Sequence, residues 1–253
     1  MSERAKSAVG LATVIVATLF MRLPPYLNSG TVNSDAAIVG LQAIALIERG
    51  EHDVHLWGAN YQTNVDVVFV AGAFKLFGPS PWALYLVPYL GAALATALIF
   101  LMLRRGMPAS AAALVTLTVS FGSQAITSPM TFVLRQAMFC AALLGLWLVH
   151  RASATRLGPL QLFLGAACVG LAIFVDVFAT IMWPACALFA VACCFDTRFN
   201  WTRLAAVAAG LAAGLYPAKL VGHIGSGTMP GLKWSYVHSN WPLFSAFVCK
   251  PGV

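Results

Sequence analysis

Apolar runs of about 17 to 25 residues, divided by short polar or charged breaks, recur along the whole chain. Each is close to the ~20 residues that a helix needs to cross ~30 Å of hydrocarbon. The runs are Ala, Leu, Val and Gly mixtures without period-two alternation, which favours helices over the short alternating segments of a membrane barrel. The first run, Ala8 to Leu27, follows Arg4 and Lys6 and closes on Pro24-Pro25. No small-x-small cleavage site follows it, so it reads as an uncleaved anchor. Residues 28–63 form a polar loop with one expected helix, Ser34 to Arg49, started by Ser34 as N-cap and stopped at Gly50. The run Val65 to Phe77 rises only about 20 Å. It begins beside Asp66, carries Lys75 and stops at Gly78-Pro79, as expected for an interfacial or half-inserted helix that returns to the side it left. Further spans are expected at Trp82 to Leu103, Ser110 to Ile126, Met130 to Val149, Leu160 to Val175, Val177 to Phe195 and Arg203 to Val221.

The fold class expected from this pattern is all-α: a polytopic transmembrane helical bundle of about six or seven spans, with juxtamembrane helices in its first outer loop. It forms one domain over residues 1–253, with a first span at 8–27, an outer loop at 28–81, the remaining spans at 82–221 and the start of an outer segment at 222–253. Composition agrees: 60% of the residues are apolar, 9% are charged, and the mean hydropathy is +0.83. Soluble domains carry about 25% charged residues. Cys140, Cys168, Cys186, Cys193 and Cys194 lie inside apolar runs, where a thiol acts as a small hydrophobe, and only Cys249 lies in a polar stretch. No zinc-ligand spacing is present.

The net charge of +7 would point to nucleic acid in a soluble protein; here it follows from orientation. With a cytoplasmic N-terminus, Arg4, Lys6, Arg104, Arg105, Arg151, Arg156, Arg198 and Arg203 all fall in inner loops. This places the chain in the cytoplasmic membrane with no nucleic-acid partner. The same parity puts Asp35, Glu48, Glu51, Asp53, Asp66 and Asp176 outside and leaves Glu3 and Asp196 inside. An Asp at a helix centre costs ~2.5 to 3.5 kcal/mol to insert, so Asp176 belongs at an outer turn. Arg22, Lys75, Arg135 and Lys219 lie in or near the outer ends of spans. Each has a plainer reading: Asp35 as a helix-start anion, Asp176 as a turn cap, Arg135 as a cation snorkelling about two turns from its span's start. For Trp57, Tyr61, Trp234, Tyr236 and Trp241, interfacial anchoring competes with stacking on a sugar ring.

The order Ser34-Asp35-Ala36-Ala37-Ile38-Val39-Gly40-Leu41, Glu48-Arg49-Gly50, His55-Leu56-Trp57-Gly58-Ala59-Asn60-Tyr61, Asp66, and Phe74-Lys75-Leu76-Phe77-Gly78-Pro79-Ser80-Pro81-Trp82-Ala83-Leu84 resembles the N-terminal region of GT-C membrane glycosyltransferases. The bacterial branch related to protein mannosyltransferases and aminoarabinose transferases is the nearer likeness. It extends over about residues 8–105 and is topological beyond. The chain has Ala36 where the family often has Glu, and Asp66 without the glycine turn and Glu of the family's stretch. Family members are commonly about twice this length, so an end at Lys250-Pro251-Gly252-Val253 reads as a truncated or split product.

The resemblance implies inverting transfer of a sugar from a polyprenyl-phosphate donor to a glycan, lipid or protein acceptor at the outer membrane face. Asp35 matches the family's early Asp and is the expected base. Arg135, Lys219 and Arg22 are candidates for the leaving phosphate by position, while Asp66, Asp176, Trp57 and Tyr61 would bind sugar or acceptor. No metal site is expected, although neighbouring carboxylates could hold a divalent ion. The alternatives are a transporter or flippase fragment, in which Asp176 and Arg135 would line a path, and a non-catalytic membrane scaffold.

Overall fold

The computed structural model describes residues 2–27, 32, 34–121, 135–152, 158–182, 184, 186–188 and 200–220. These residues are mostly helical. The long elements are α1 (Glu3–Leu27), α2 (Ser34–Glu48), α3 (Val65–Phe77), α4 (Pro81–Leu103), α5 (Ala109–Ser120), α6 (Gln136–Ala152), α7 (Gly158–Val175) and α8 (Trp201–Leu220). A 3-10 helix, Val177–Met182, follows α7. Between α2 and α3 lies an antiparallel ribbon of β1 (His55–Leu56) and β2 (Ala59–Thr63). Three of the helices, α1, α4 and α7, are long and apolar enough to cross a membrane; α5 and α6 are shorter apolar helices.

Several contacts fix the relative directions of the helices. The Tyr89 hydroxyl donates to the Leu19 carbonyl at 3.0 Å, and Arg104 Nε donates to Ser7 Oγ at 2.7 Å, so α1 and α4 are antiparallel. Thr96 and Ser120 join their hydroxyls at 3.3 Å where α5 runs back along α4. Gly91 of α4 lies beside Gln136, while Arg105 just past α4 donates to the His150 carbonyl at 2.6 Å, so α4 and α6 are parallel. Helices α6 and α7 are antiparallel, crossing so closely at Gly145 and Gly165 that a Cβ on Gly145 would meet the Gly165 carbonyl at 2.6 Å. Helices α7 and α8 are parallel: Gly210 faces the Phe163 carbonyl and Gly214 the Ala167 carbonyl, each within 2.2 Å of where a Cβ would sit. Small residues at four-residue spacing allow this approach, which gains van der Waals contact along both helices. Much of the chain between α7 and α8, including most of the span expected at Val177 to Phe195, lies outside the described residues.

Helix α3 belongs to one end of this bundle. Its first turn meets the start of α6 through Asp66, and its last residue leads through Gly78, at φ +81°, to Ser80, which caps α4 by accepting from the Ala83 N–H at 3.3 Å. Helices α2, α3 and the start of α4 share one core, with Val39, Ala43, Val70, Phe74 and Leu84 buried in it. The other face of α3 leaves Val68, Phe69 and Leu76 exposed.

Helix α1 ends at Leu27, the end expected for the first span, with Pro24 and Pro25 inside it. Three sequence expectations are corrected. The first loop contains a ribbon besides its helix, turning at Trp57-Gly58, where Gly58 adopts φ +78°. Arg135 is not two turns inside a helix but the residue before α6, in a left-handed conformation of φ +70° that no right-handed helix contains. The chain after Asp176 opens as a 3-10 helix, because the Asp176 carboxylate takes the Phe178 N–H at 2.8 Å and turns the backbone out of the α ladder. The described part of the span expected at Ser110 to Ile126 is α5, ending at Ser120. Cys193, Cys194, Asp196, Arg156, Arg198, Trp234, Tyr236, Trp241 and Cys249 lie outside the described residues.

Candidate functional site

Where β2, α3, α6 and α7 meet, two buried carboxylates close on one arginine. Asp66 opens α3, is 1% exposed, and accepts from the Arg135 N–H at 2.8 Å and the Ala137 N–H at 2.9 Å. These donors stand at the start of α6, where the N–H groups of a helix lack intrahelical partners. Asp176 directly follows α7 and is fully buried; its Oδ2 accepts from Arg135 Nε at 2.8 Å and its Oδ1 from the Phe178 N–H. Both carboxylates therefore use both oxygens on groups of the protein.

Strand β2 ties this corner together. Gln62 forms an antiparallel backbone bridge with Asp176, and Thr63 Oγ1 donates to the Val175 carbonyl at 3.3 Å. Within five residues, Gln62 to Asp66 thus fasten the end of α7 and the start of α6. Arg135 itself is half-open, with 38% of its side chain exposed. Its guanidinium carbon lies 4.4 Å from the centre of the Phe178 ring, and Phe178 meets Tyr61 edge-on at 6.0 Å. A cation on an aromatic face gains about 0.5 to 2 kcal/mol according to its desolvation. Pinned at Nε and backed by Phe178, the planar guanidinium has no partner at its Nη groups among the described residues, and these can take two oxygens of a phosphate or carboxylate in parallel hydrogen bonds.

Burial pushes the Asp66 carboxyl up to about 6 and nearby Asp176 adds to the rise, while the N–H donors of Ala137 and Arg135 pull it back. Among the described residues, no group of three or more His, Cys, Asp or Glu converges as a metal site.

The structure brings Asp66, Arg135, Asp176 and Tyr61 together from the sequence-derived set. Asp35 is exposed in the first turn of α2, and among the described residues no hydrogen bond or ion pair joins it to the cluster. The Trp57 indole donates to Asp53 Oδ2 at 2.5 Å in the ribbon turn, and Asn64 donates to the Asp53 carbonyl. Lys219 is exposed in the last turn of α8, and Arg22 is buried within α1. Gln62, Thr63 and Phe178 were not anticipated. A bridge between a strand and the end of a distant helix leaves no local pattern, although Phe178 two residues from Asp176 was visible as a partner for a cation.

No family model, curated protein or solved structure matches this chain.

Proposed function

We propose that this chain is a membrane glycosyltransferase of the GT-C type, moving a sugar from a polyprenyl-phosphate donor to an acceptor hydroxyl at the outer face of the cytoplasmic membrane. The observation that carries this reading is the presented guanidinium of Arg135, pinned at Nε by buried Asp176 and backed by Phe178. Such a group suits a lipid phosphate, the leaving group of this transfer. The apolar helices α1, α4 and α7 suit a membrane setting, and the exposed apolar face of α3 suits a lipid boundary.

In the reaction, the acceptor oxygen bonds to the anomeric carbon as the bond from that carbon to the phosphate oxygen breaks. A carboxylate takes the acceptor's proton, and a fixed cation stabilises the charge that develops on the departing phosphate. Asp35, exposed at the start of α2, is the proposed base, and Arg135 the proposed cation. Tyr61 and Trp57 are the aromatic candidates for the sugar face. Asp66 and Asp176 act in this reading through Arg135, since their oxygens are already engaged.

The test is release of lipid phosphate from a radiolabelled polyprenyl-phosphate sugar by membranes holding the full chain. Asp35→Asn is expected to lower the rate by about 10²-fold or more while leaving donor binding intact, as for loss of a general base. Arg135→Ala is expected to weaken donor binding and slow release together. An unchanged rate in Asp35→Asn removes that residue from the base role. Absence of release by the unmodified chain with any sugar donor overturns the reading.

A further inference from the structure

We infer that Asp66 is a positioning residue whose buried carboxylate holds Arg135 in a left-handed backbone conformation and so sets where its guanidinium is presented. The inference deepens the proposed function, on which it rests only for the nature of the anion.

A non-glycine residue at positive φ costs about 1 to 3 kcal/mol unless its surroundings over-determine it. Arg135 stands at φ +70°, and the group that takes its backbone N–H is Asp66, 69 residues earlier in the chain. The second Asp66 oxygen takes the N–H of Ala137, two residues on, so one carboxylate spans the turn from the left-handed residue into the helix. An N-cap ordinarily comes from the residue just before its helix. Here the cap comes from α3, and strand β2 just before α3 is fixed to the end of α7 by the Gln62 bridge to Asp176 and by Thr63 on the Val175 carbonyl. Asp176 then holds the other end of the same arginine through Nε. Backbone and side chain of Arg135 are thus gripped by two carboxylates from two elements joined by one strand. With 1% of its surface exposed, Asp66 has no route to a substrate of its own.

The experiment uses the full chain in lipid nanodiscs, with farnesyl monophosphate as probe and calorimetric titration as readout. Asp66→Asn, nearly isosteric, is expected to weaken farnesyl monophosphate binding by about tenfold, with Asp66→Glu recovering part of the loss. Arg135→Ala is expected to weaken binding by more than tenfold, and adding Asp66→Asn to it is expected to change nothing further. Unchanged affinity in Asp66→Asn, or effects of the two substitutions that multiply, would overturn the inference. If the unmodified chain binds no farnesyl monophosphate, the anion reading fails by itself, and thermal unfolding still decides the positioning role. Glycine accepts φ +70° at no steric cost. The change in Tm caused by Asp66→Asn is therefore expected to be more destabilising with Arg135 present than in an Arg135→Gly background, where both members have lost the arginine side chain from Asp176. Equal changes in the two backgrounds would sink the inference.

Discussion

At Arg135 a backbone conformation and a charge are held by different carboxylates. Asp66 titrates near 6, raised chiefly by burial and held back by the N–H groups it accepts. A carboxyl raised in the native state binds its proton more tightly there than in the unfolded chain. The stability linked to that proton is fully present below the ordinary value near 3.8 and is lost as pH rises through about 6. Thermal unfolding of the detergent-solubilised chain across pH 4 to 7 should show Tm falling in that window, and Asp66→Asn, which carries no proton to lose, should remove that part of the slope. An unchanged slope in the variant would place the titration elsewhere. Sequence parity had already selected Asp66, Arg135 and Asp176 as acids and a cation bound for one side of the membrane. It did not reveal that the acids face the arginine rather than a ligand, because hydrogen bonds spanning 69 and 41 residues leave no trace in spacing.

The same limit appears one level up, in the elements. Helix α3 was legible because both its ends are chemically marked: Asn64-Val65-Asp66 at the start, Gly78-Pro79 at the stop. The start of α6 was not, since the apolar run from Met130 continues through Leu134 and hydropathy does not register the left-handed turn at Arg135. The ribbon was missed because β1 has only two residues, although Gly58 at its turn was a visible signal. Packing of α7 on α8 was half-visible: Gly210 and Gly214 show the four-residue spacing of close helix contact, but not that Phe163 and Ala167 would present carbonyls to it. Gly214→Val follows directly, for its side chain would enter the space of the Ala167 carbonyl. Overpacking of this kind costs about 1 to 3 kcal/mol, so Tm should drop by several degrees. Gly72→Ala, in α3 and with nothing within 4 Å of its added Cβ, should leave Tm level or raise it slightly, by helix propensity. A Gly214 variant as stable as the unmodified chain would contradict the close α7 to α8 contact.

Across the whole molecule, two charged levels face away from each other. One gathers Glu3, Ser7, Arg104, Arg105 and the His150 carbonyl; the other gathers Asp66, Arg135 and Asp176. Helix α7 separates them, and its 18 residues rise about 27 Å, close to one hydrocarbon thickness of ~30 Å. In the proposed orientation the first level is cytoplasmic and the second lies at the outer boundary. The position of α3 then decides every later loop. Its 13 residues start at the Asp66 level and end at the cap of α4, on the same side of the bundle, so it should not cross. Single cysteines placed in a background lacking the six native ones can test this in intact cells with a membrane-impermeant maleimide. Asp53→Cys before α3 and Pro79→Cys after it, both at exposed positions, should label from outside, and Arg105→Cys only after permeabilisation. Labelling of Asp53→Cys and Pro79→Cys from opposite sides would make α3 a crossing helix. Arg135 and Asp176 would then face the cytoplasm, and a donor carried on the outer leaflet could not reach the guanidinium. The sidedness of two loop residues therefore bears on the proposed chemistry as directly as any substitution in the cluster.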